Sequence, residues 1–227
     1  MDFRLDNSLV DAGIDTVVVG IAKNVDPQAV LPVAFLEKKQ VMEEWALQCQ
    51  LEEVAESAVV TGYTDLLQKV GRSIKKNPPT ILALIRNIQH RGSLPQINSI
   101  IDIYNVECLR SYLAIGGHDL DKIEGPIEFT ISQREDLFFP ILSSEKHVAP
   151  TDPVYRDQKG VLAWLDVRDS DLYKFDETTK NALFVIQGNQ ETRLEALERI
   201  HRDLASCMPN LQFEKILVTP NGVESAS

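Results

Sequence analysis

The chain has 227 residues, 44% of them hydrophobic and 25% charged, enough apolar side chain to build a core without covalent staples. Its 23 lysines and arginines face 34 acids, a net charge of -11. That balance excludes a protein that holds nucleic acid mainly through a broad phosphate-neutralising surface, and it disfavours an anionic membrane. Cys49, Cys108 and Cys207 are far apart and form no CxxC pair, so they read as small buried thiols in a reducing compartment. The amino terminus has no apolar signal region and no run of 18 apolar residues occurs, so the expectation is a cytoplasmic protein with no membrane and no DNA partner.

Residues 14–22 are continuous and β-branched, ended by Lys23-Asn24-Val25-Asp26-Pro27, and predict a buried strand. From residue 33 to 60 the spacing turns helical, with Trp45 among Val41, Leu47, Cys49 and Leu51 as core. Gly62-Tyr63 is expected to break this helix, and residues 64–70 to form another short one. The loop Lys75-Lys76-Asn77-Pro78-Pro79-Thr80 opens a helix with Ile81, Leu84, Ile85 and Ile88 on one stripe, ended by Gly92-Ser93-Leu94-Pro95. Residues 98–113 are too apolar for an exposed helix, so their polar members Asn98, Asp102 and Asn105 need partners.

Beyond Gly125 the texture is β: residues 126–131, 136–141, 147–148, 160–167 and 182–186 predict strands. An amphipathic helix over 191–208 carries Leu194, Leu197, Ile200, Leu204 and Cys207 on one stripe, with Thr192 or Asn189 as its cap, and residues 223–227 read as a frayed tail. A strand, several helices, a run of strands and a final helix make an α+β fold rather than an alternating doubly wound one.

GxxxxGK[ST], GxGxxG, GxSxG and HExxH are all missing, so no phosphate loop, nicotinamide site, hydrolase elbow or zincin helix is predicted, and no metal or cofactor. Gly116-Gly117 is expected to turn the chain tightly after a helix and to bring His118, Asp119 and Asp121 together. A histidine beside carboxylates suits a general base, a hydrogen-bonding clamp or a metal ligand; the competing account is a turn whose aspartates cap backbone amides. Residues 166–171 and 177–181 form a second polar group at strand ends, expected to hold an Arg168–carboxylate pair. The basic residues Arg72, Lys75, Lys76, Arg86 and Arg91 cluster in an otherwise acidic chain, as a solvated helix face or a strip facing phosphates. His90, His147 and His201 stand alone.

Several segments occur in the order of a known family. Residues 83–86 with Leu94-Pro95-Gln96-Ile97-Asn98, Ile101-Asp102-Ile103-Tyr104-Asn105, residues 117–127, Val167-Arg168-Asp169-Ser170 and Thr178-Thr179-Lys180-Asn181 resemble motifs of the tRNA-binding B3/B4 domain of the phenylalanyl-tRNA synthetase beta subunit and its stand-alone relatives. The resemblance spans about residues 63–186 and implies a B3/B4-like α+β domain, a mixed sheet with helices. It divides a single domain over 1–227 into an α/β extension, 1–60, and a family core, 61–210.

In the synthetase this domain hydrolyses tyrosine wrongly attached to the phenylalanine tRNA, the second sieve that binding alone cannot supply. By resemblance the partner is tRNA or aminoacyl-tRNA, and the reaction would be freestanding hydrolysis of a mischarged ester. His118 and Asp121 would position the water, and Asn98, Asn105, Asp119, Arg168 and Thr179 would hold the substrate. Arg72, Lys75, Lys76, Arg86 and Arg91 would meet the RNA. Val185 stands where the family carries a glutamate that reads the tyrosine hydroxyl, and a valine accepts no hydrogen bond. Nothing in the chain implies activation of an amino acid with ATP. The alternative is a non-catalytic binding module for a small amino-acid-like ligand.

Overall fold

A computed structural model of the chain describes residues 1–75, 77–132, 136–188 and 190–226. The chain opens with strand β1 (Phe3–Leu5), helix α1 (Asn7–Ala12) and strand β2 (Val17–Lys23). Five helices follow: α2 (Val33–Gln48), α3 (Leu51–Ala55), α4 (Ala58–Lys69), α5 (Thr80–Arg91) and α6 (Ser99–Ser111). Strand β3 (Ile115–Asp119) leads through a short 3-10 turn to β4 (Ile127–Ile131), β5 (Asp136–Phe138), β6 (Lys146–Val148), β7 (Pro153–Arg156), β8 (Val161–Trp164) and β9 (Arg168–Asp169). Strand β10 (Asn181–Ile186), helix α7 (Arg193–Ala205) and the hairpin β11 (Gln212–Thr219) and β12 (Gly222–Ser225) complete it.

Two five-stranded sheets organise these elements. The first runs β12-β11-β2-β10-β3 and is antiparallel throughout; the second runs β1-β4-β7-β8-β9, with β1 parallel to β4 and the other pairs antiparallel. The second sheet is the mixed one that the α+β reading expects. Strand β2 reads as continuous apolar sequence because it lies between β10 and β11, buried along six of its seven residues. Helices α6 and α7 cover one face of the first sheet, and α2 and α5 pack outside α6. Burial makes α6 depend on paired polar groups. Asn98 caps it by accepting from Ile101 N at 2.9 Å, Asp102 accepts from Lys39 Nζ at 2.8 Å, and Glu107 pairs with Arg199 of α7 at 2.8 Å.

Tertiary contacts revise several sequence expectations. The helix expected over 33–60 is three helices, and Gly62-Tyr63 does not interrupt the last of them. Ser57 starts α4 as its cap, and the buried Tyr63 hydroxyl donates to Gln187 O at 2.9 Å, which fixes the helix through its glycine. Trp45 is half-buried and stacks on Tyr112 at 5.6 Å, whereas Val41 is 62% exposed, so α2 is an outer layer. Residues 222–225 are not frayed but pair with β11. Strands β1, β7 and β11 were not expected; the first two are short, and β11 alternates exposed with half-buried residues over its first half and half-buried with buried ones over its second. Asn189, the alternative cap of α7, lies outside the described residues; Thr192 is at the cap position without a side-chain bond.

The glycine pair is the clearest revision. Gly116 and Gly117 lie inside β3 rather than in a turn, paired with Val185 and Phe184 of β10. They are needed for close approach. A Cβ on Gly117 would stand 2.8 Å from the Tyr104 ring and 2.9 Å from the Phe175 ring, and one on Gly116 would collide with the Tyr155 hydroxyl. Gly117→Ala is therefore expected to destabilise the chain by about 1–3 kcal/mol, measured as a lower urea midpoint at unchanged m-value.

Candidate functional site

Where β3 leaves α6, it passes the amino terminus of α5 and the loop from β8 to β9. These elements and the end of β10 enclose a cavity of about 490 Å³. Its apolar walls include Ile81, Leu84, Tyr104, Trp164 and Val185; its polar lining includes Asn105, Tyr155, Asp166, Arg168, Asp169 and Gln187.

Asp166 sits in the β8–β9 loop with a left-handed backbone, φ 49°. That conformation turns its carboxylate towards α5, where Oδ1 accepts from Thr80 N at 2.8 Å and so serves as the helix cap that Pro79 cannot provide. Oδ2 has no partner among the described residues. Burial pushes this carboxyl up to about 7. Asp169 accepts from Gly117 N at 3.3 Å, keeps 21% of its side chain exposed and lines the cavity; desolvation raises it to about 7 as well.

His118 is fully buried behind this pair. Its Nε2 shares a hydrogen bond of 2.5 Å with the Tyr155 hydroxyl and lies 4.0 Å from Asp169 Oδ1. Its Nδ1 has no partner among the described residues, and burial pushes the imidazole down to about 3, so the ring is neutral. The Tyr155 hydroxyl stands between the histidine and the cavity that Tyr155 lines.

The other residues singled out in the sequence are dispersed. Asn105 and Arg168 line the cavity, and Arg168 Nη1 donates to Ile141 O at 3.3 Å; it forms no ion pair with a carboxylate among the described residues. Asn98 is occupied as the α6 cap. Asp119 is buried and accepts from Thr179 Oγ1 at 2.8 Å and Asp121 N at 3.1 Å, so Asp119 and Thr179 brace the 3-10 turn. Asp121 is exposed and accepts from Asn181 Nδ2 at 2.7 Å; a strand rather than a bend precedes it, so His118 points between the sheets and Asp121 outwards. Arg72 leaves the basic strip altogether. Its side chain is 6% exposed, pairs with Asp152 at 2.9 Å and lies 3.8 Å over the Trp164 ring. Lys75, Arg86 and Arg91 are exposed, and Lys76 lies outside the described residues.

The family model of the B3/4 domain matches residues 62–215, more than half of the chain, and encloses every element that lines the cavity. The chain belongs to the B3/4 domain family. It is similar to the phenylalanine–tRNA ligase beta subunit of Mycoplasma pneumoniae, at 26% identity over 129 residues, covering 56% of this chain and 16% of that subunit. The same subunit of Mycoplasma genitalium is 27% identical over 124 residues, covering 54% and 15%. The chain thus spans about a sixth of the length of these curated relatives. A crystal structure of an N-terminal fragment of the phenylalanyl-tRNA synthetase beta subunit from Pyrococcus horikoshii shares the fold, with a TM-score of 0.55 at 15% identity, over 100% of this chain and 54% of that one. No helix among the described residues is long and apolar enough to cross a membrane.

Three cavity residues gave no sequence signal strong enough to find them. Tyr155 sits in a short unexpected strand, Asp166 read as one acid among several, and Gln187 lies just beyond the strand expected over 182–186. Both raised carboxyls bind protons in the folded state that the unfolded chain releases above 3.8, so stability falls as pH rises from 3.8 to about 7. Asp166→Asn keeps the acceptor for Thr80 N and removes that penalty. Thermal melts are expected to show it several degrees above the parent at pH 8, with the gain shrinking towards pH 5.

Proposed function

We propose that the chain receives the aminoacyl end of a tRNA in this cavity and hydrolyses the ester of a mischarged one. The observation that carries the reading is Asp169, a cavity-lining carboxyl raised to about 7 by burial, in the B3/4 segment of a chain related to phenylalanine–tRNA ligase beta subunits. A general base works best when its pKa is near the operating pH, and His118, at about 3 and sealed behind Tyr155, is a poor one.

In this mechanism the Asp169 carboxylate takes a proton from water as the water oxygen bonds to the ester carbonyl carbon. The tetrahedral intermediate collapses, the bond from carbonyl carbon to ribose oxygen breaks, and the ribose oxygen takes the proton back from Asp169. The products are a free amino acid and an uncharged tRNA. His118 acts through Tyr155 as a positioning residue, because the shared hydrogen bond fixes the phenol beside the reacting carboxylate. Asp121 has no part in it, being exposed and bound to Asn181.

RNA contacts would fall to the exposed Lys75, Arg86 and Arg91. Three phosphate contacts predict a shallow salt dependence, a slope of about 2–3 in log Kd against log salt. The second reading, a module that binds a free amino-acid-like ligand, is favoured by the burial of Arg72 and the net charge of -11.

The test is deacylation of a panel of mischarged tRNAs by the purified chain. One pairing is expected to be hydrolysed, faster as pH rises through about 7 because the ionised base is the active form, and Asp169→Asn is expected to slow it about 10²–10⁴-fold. A flat panel, with tRNA bound no more tightly than bulk RNA at low salt, would overturn the proposal in favour of the small-ligand module.

A further inference from the structure

The cavity lining includes polar groups for which ester hydrolysis has no use. Gln187 follows β10 two residues beyond Val185, and both line the cavity. The side chain of Gln187 is buried, with the residue 1% exposed, and neither Nε2 nor Oε1 has a partner among the described residues. Its backbone is held in place, since the carbonyl accepts from the Tyr63 hydroxyl at 2.9 Å. Asp166 lines the same cavity and presents an equally unpartnered Oδ2, its other oxygen being committed to Thr80 N. An unpaired buried polar group costs about 1–3 kcal/mol, and a leucine or methionine would end an apolar strand without that cost. These atoms therefore point to a ligand that completes them.

Their inventory specifies its chemistry. Gln187 Nε2 offers N–H donors, while Gln187 Oε1 and, above pH about 7 where it is ionised, Asp166 Oδ2 offer two acceptors. A planar group that carries an NH2 beside an acceptor answers all three: its two N–H groups meet the two oxygens and its acceptor takes an N–H from Nε2. A hydroxyl has a single proton for two acceptors, and an ammonium has nothing to receive the amide N–H.

We propose that Gln187 and Asp166 form a recognition subsite for a planar edge that carries an NH2 group next to a hydrogen-bond acceptor. Two sources offer this edge: the carboxamide of an amino-acid side chain and the amino edge of adenine. Trp164 and Tyr104 give the cavity flat apolar walls that suit either. The inference rests on the reading of this cavity as a ligand site and adds what the ligand must present.

Calorimetric titration of the purified chain with two matched pairs separates the sources. Adenosine is compared with purine riboside, which lacks the amino group, and L-glutamine methyl ester with L-methionine methyl ester. In one pair the NH2-bearing member is expected to bind on the order of 10²-fold more tightly, because a buried polar site rejects a ligand that leaves it unpaired. Gln187→Met is expected to reduce that ratio to within about twofold. The substitution keeps the side-chain shape and removes the unpaired atoms, so the variant is also expected to melt a few degrees higher than the parent, which confirms that it folds. Equal affinities within both pairs, a preference that survives in Gln187→Met, or no binding by any of the four ligands overturns the subsite. If mischarged tRNA is nevertheless hydrolysed, only the subsite falls; if it is not, the reading of the cavity falls with it.

Discussion

A sealed hydrogen bond between the two main sheets organises the site: His118 Nε2 of β3 to the Tyr155 hydroxyl of β7, at 2.5 Å. It exists because residue 116 is glycine, since any side chain there would occupy the space of the Tyr155 hydroxyl. The rest of the site follows from that packing. The sheets close far enough to bury the imidazole completely, Asp169 is brought to 4.0 Å from its Nε2, and the Gly117 amide turns towards the Asp169 carboxylate. Burial then separates the titrations in opposite directions, the imidazole falling to about 3 and the carboxyl rising to about 7. The protonation roles that a histidine next to aspartates suggests are thereby exchanged.

The same burial sets stability against function. Asp166 caps α5 with one oxygen and leaves the other unpaired, and the Gln187 amide is unpaired at both atoms. Neither arrangement serves the fold alone, since an amide side chain or an apolar one would serve it better. The helices show the contrasting case. Lys39 with Asp102, Arg199 with Glu107 and Lys38 with Asp203 are buried or half-buried pairs that leave no charge unmatched and hold α2, α6 and α7 together. These helix-joining pairs are satisfied, whereas Asp166 Oδ2 and the Gln187 amide, which line the cavity, have no partner among the described residues.

The sequence made the fold largely readable and the site only partly. Strands β2, β4, β8 and β10 and helices α5, α6 and α7 carry apolar patterns dictated by their own two faces, so periodicity located them. Strand β11 has only three consecutive apolar residues, Ile216-Leu217-Val218, after a first half exposed on alternate residues, and β7 is four residues long, so neither gives a long pattern to read. The glycine pair misled because glycine serves turns and close packing alike, and only the Tyr104, Phe175 and Tyr155 rings brought in from distant segments decide between them. His118 was legible as a residue of the site, but its neutrality comes from burial, which only the folded chain provides, and its hydrogen-bond partner Tyr155 lies 37 positions away. Arg72 was legible as basic and not as buried, because its partners Asp152 and Trp164 meet it only in the folded chain.

The central claim is that a neutral His118 buttresses Tyr155 while Asp169 carries the titration of the cavity. An NMR titration between pH 4 and 9, following the ring nitrogens of His118 and the side-chain carboxyl carbon of Asp169, measures it directly. The account predicts a neutral imidazole over the whole range and an Asp169 carboxyl that titrates near 7. A His118 ring that gains its proton near the ordinary histidine value of 6.5, with Asp169 ionised throughout, would contradict it.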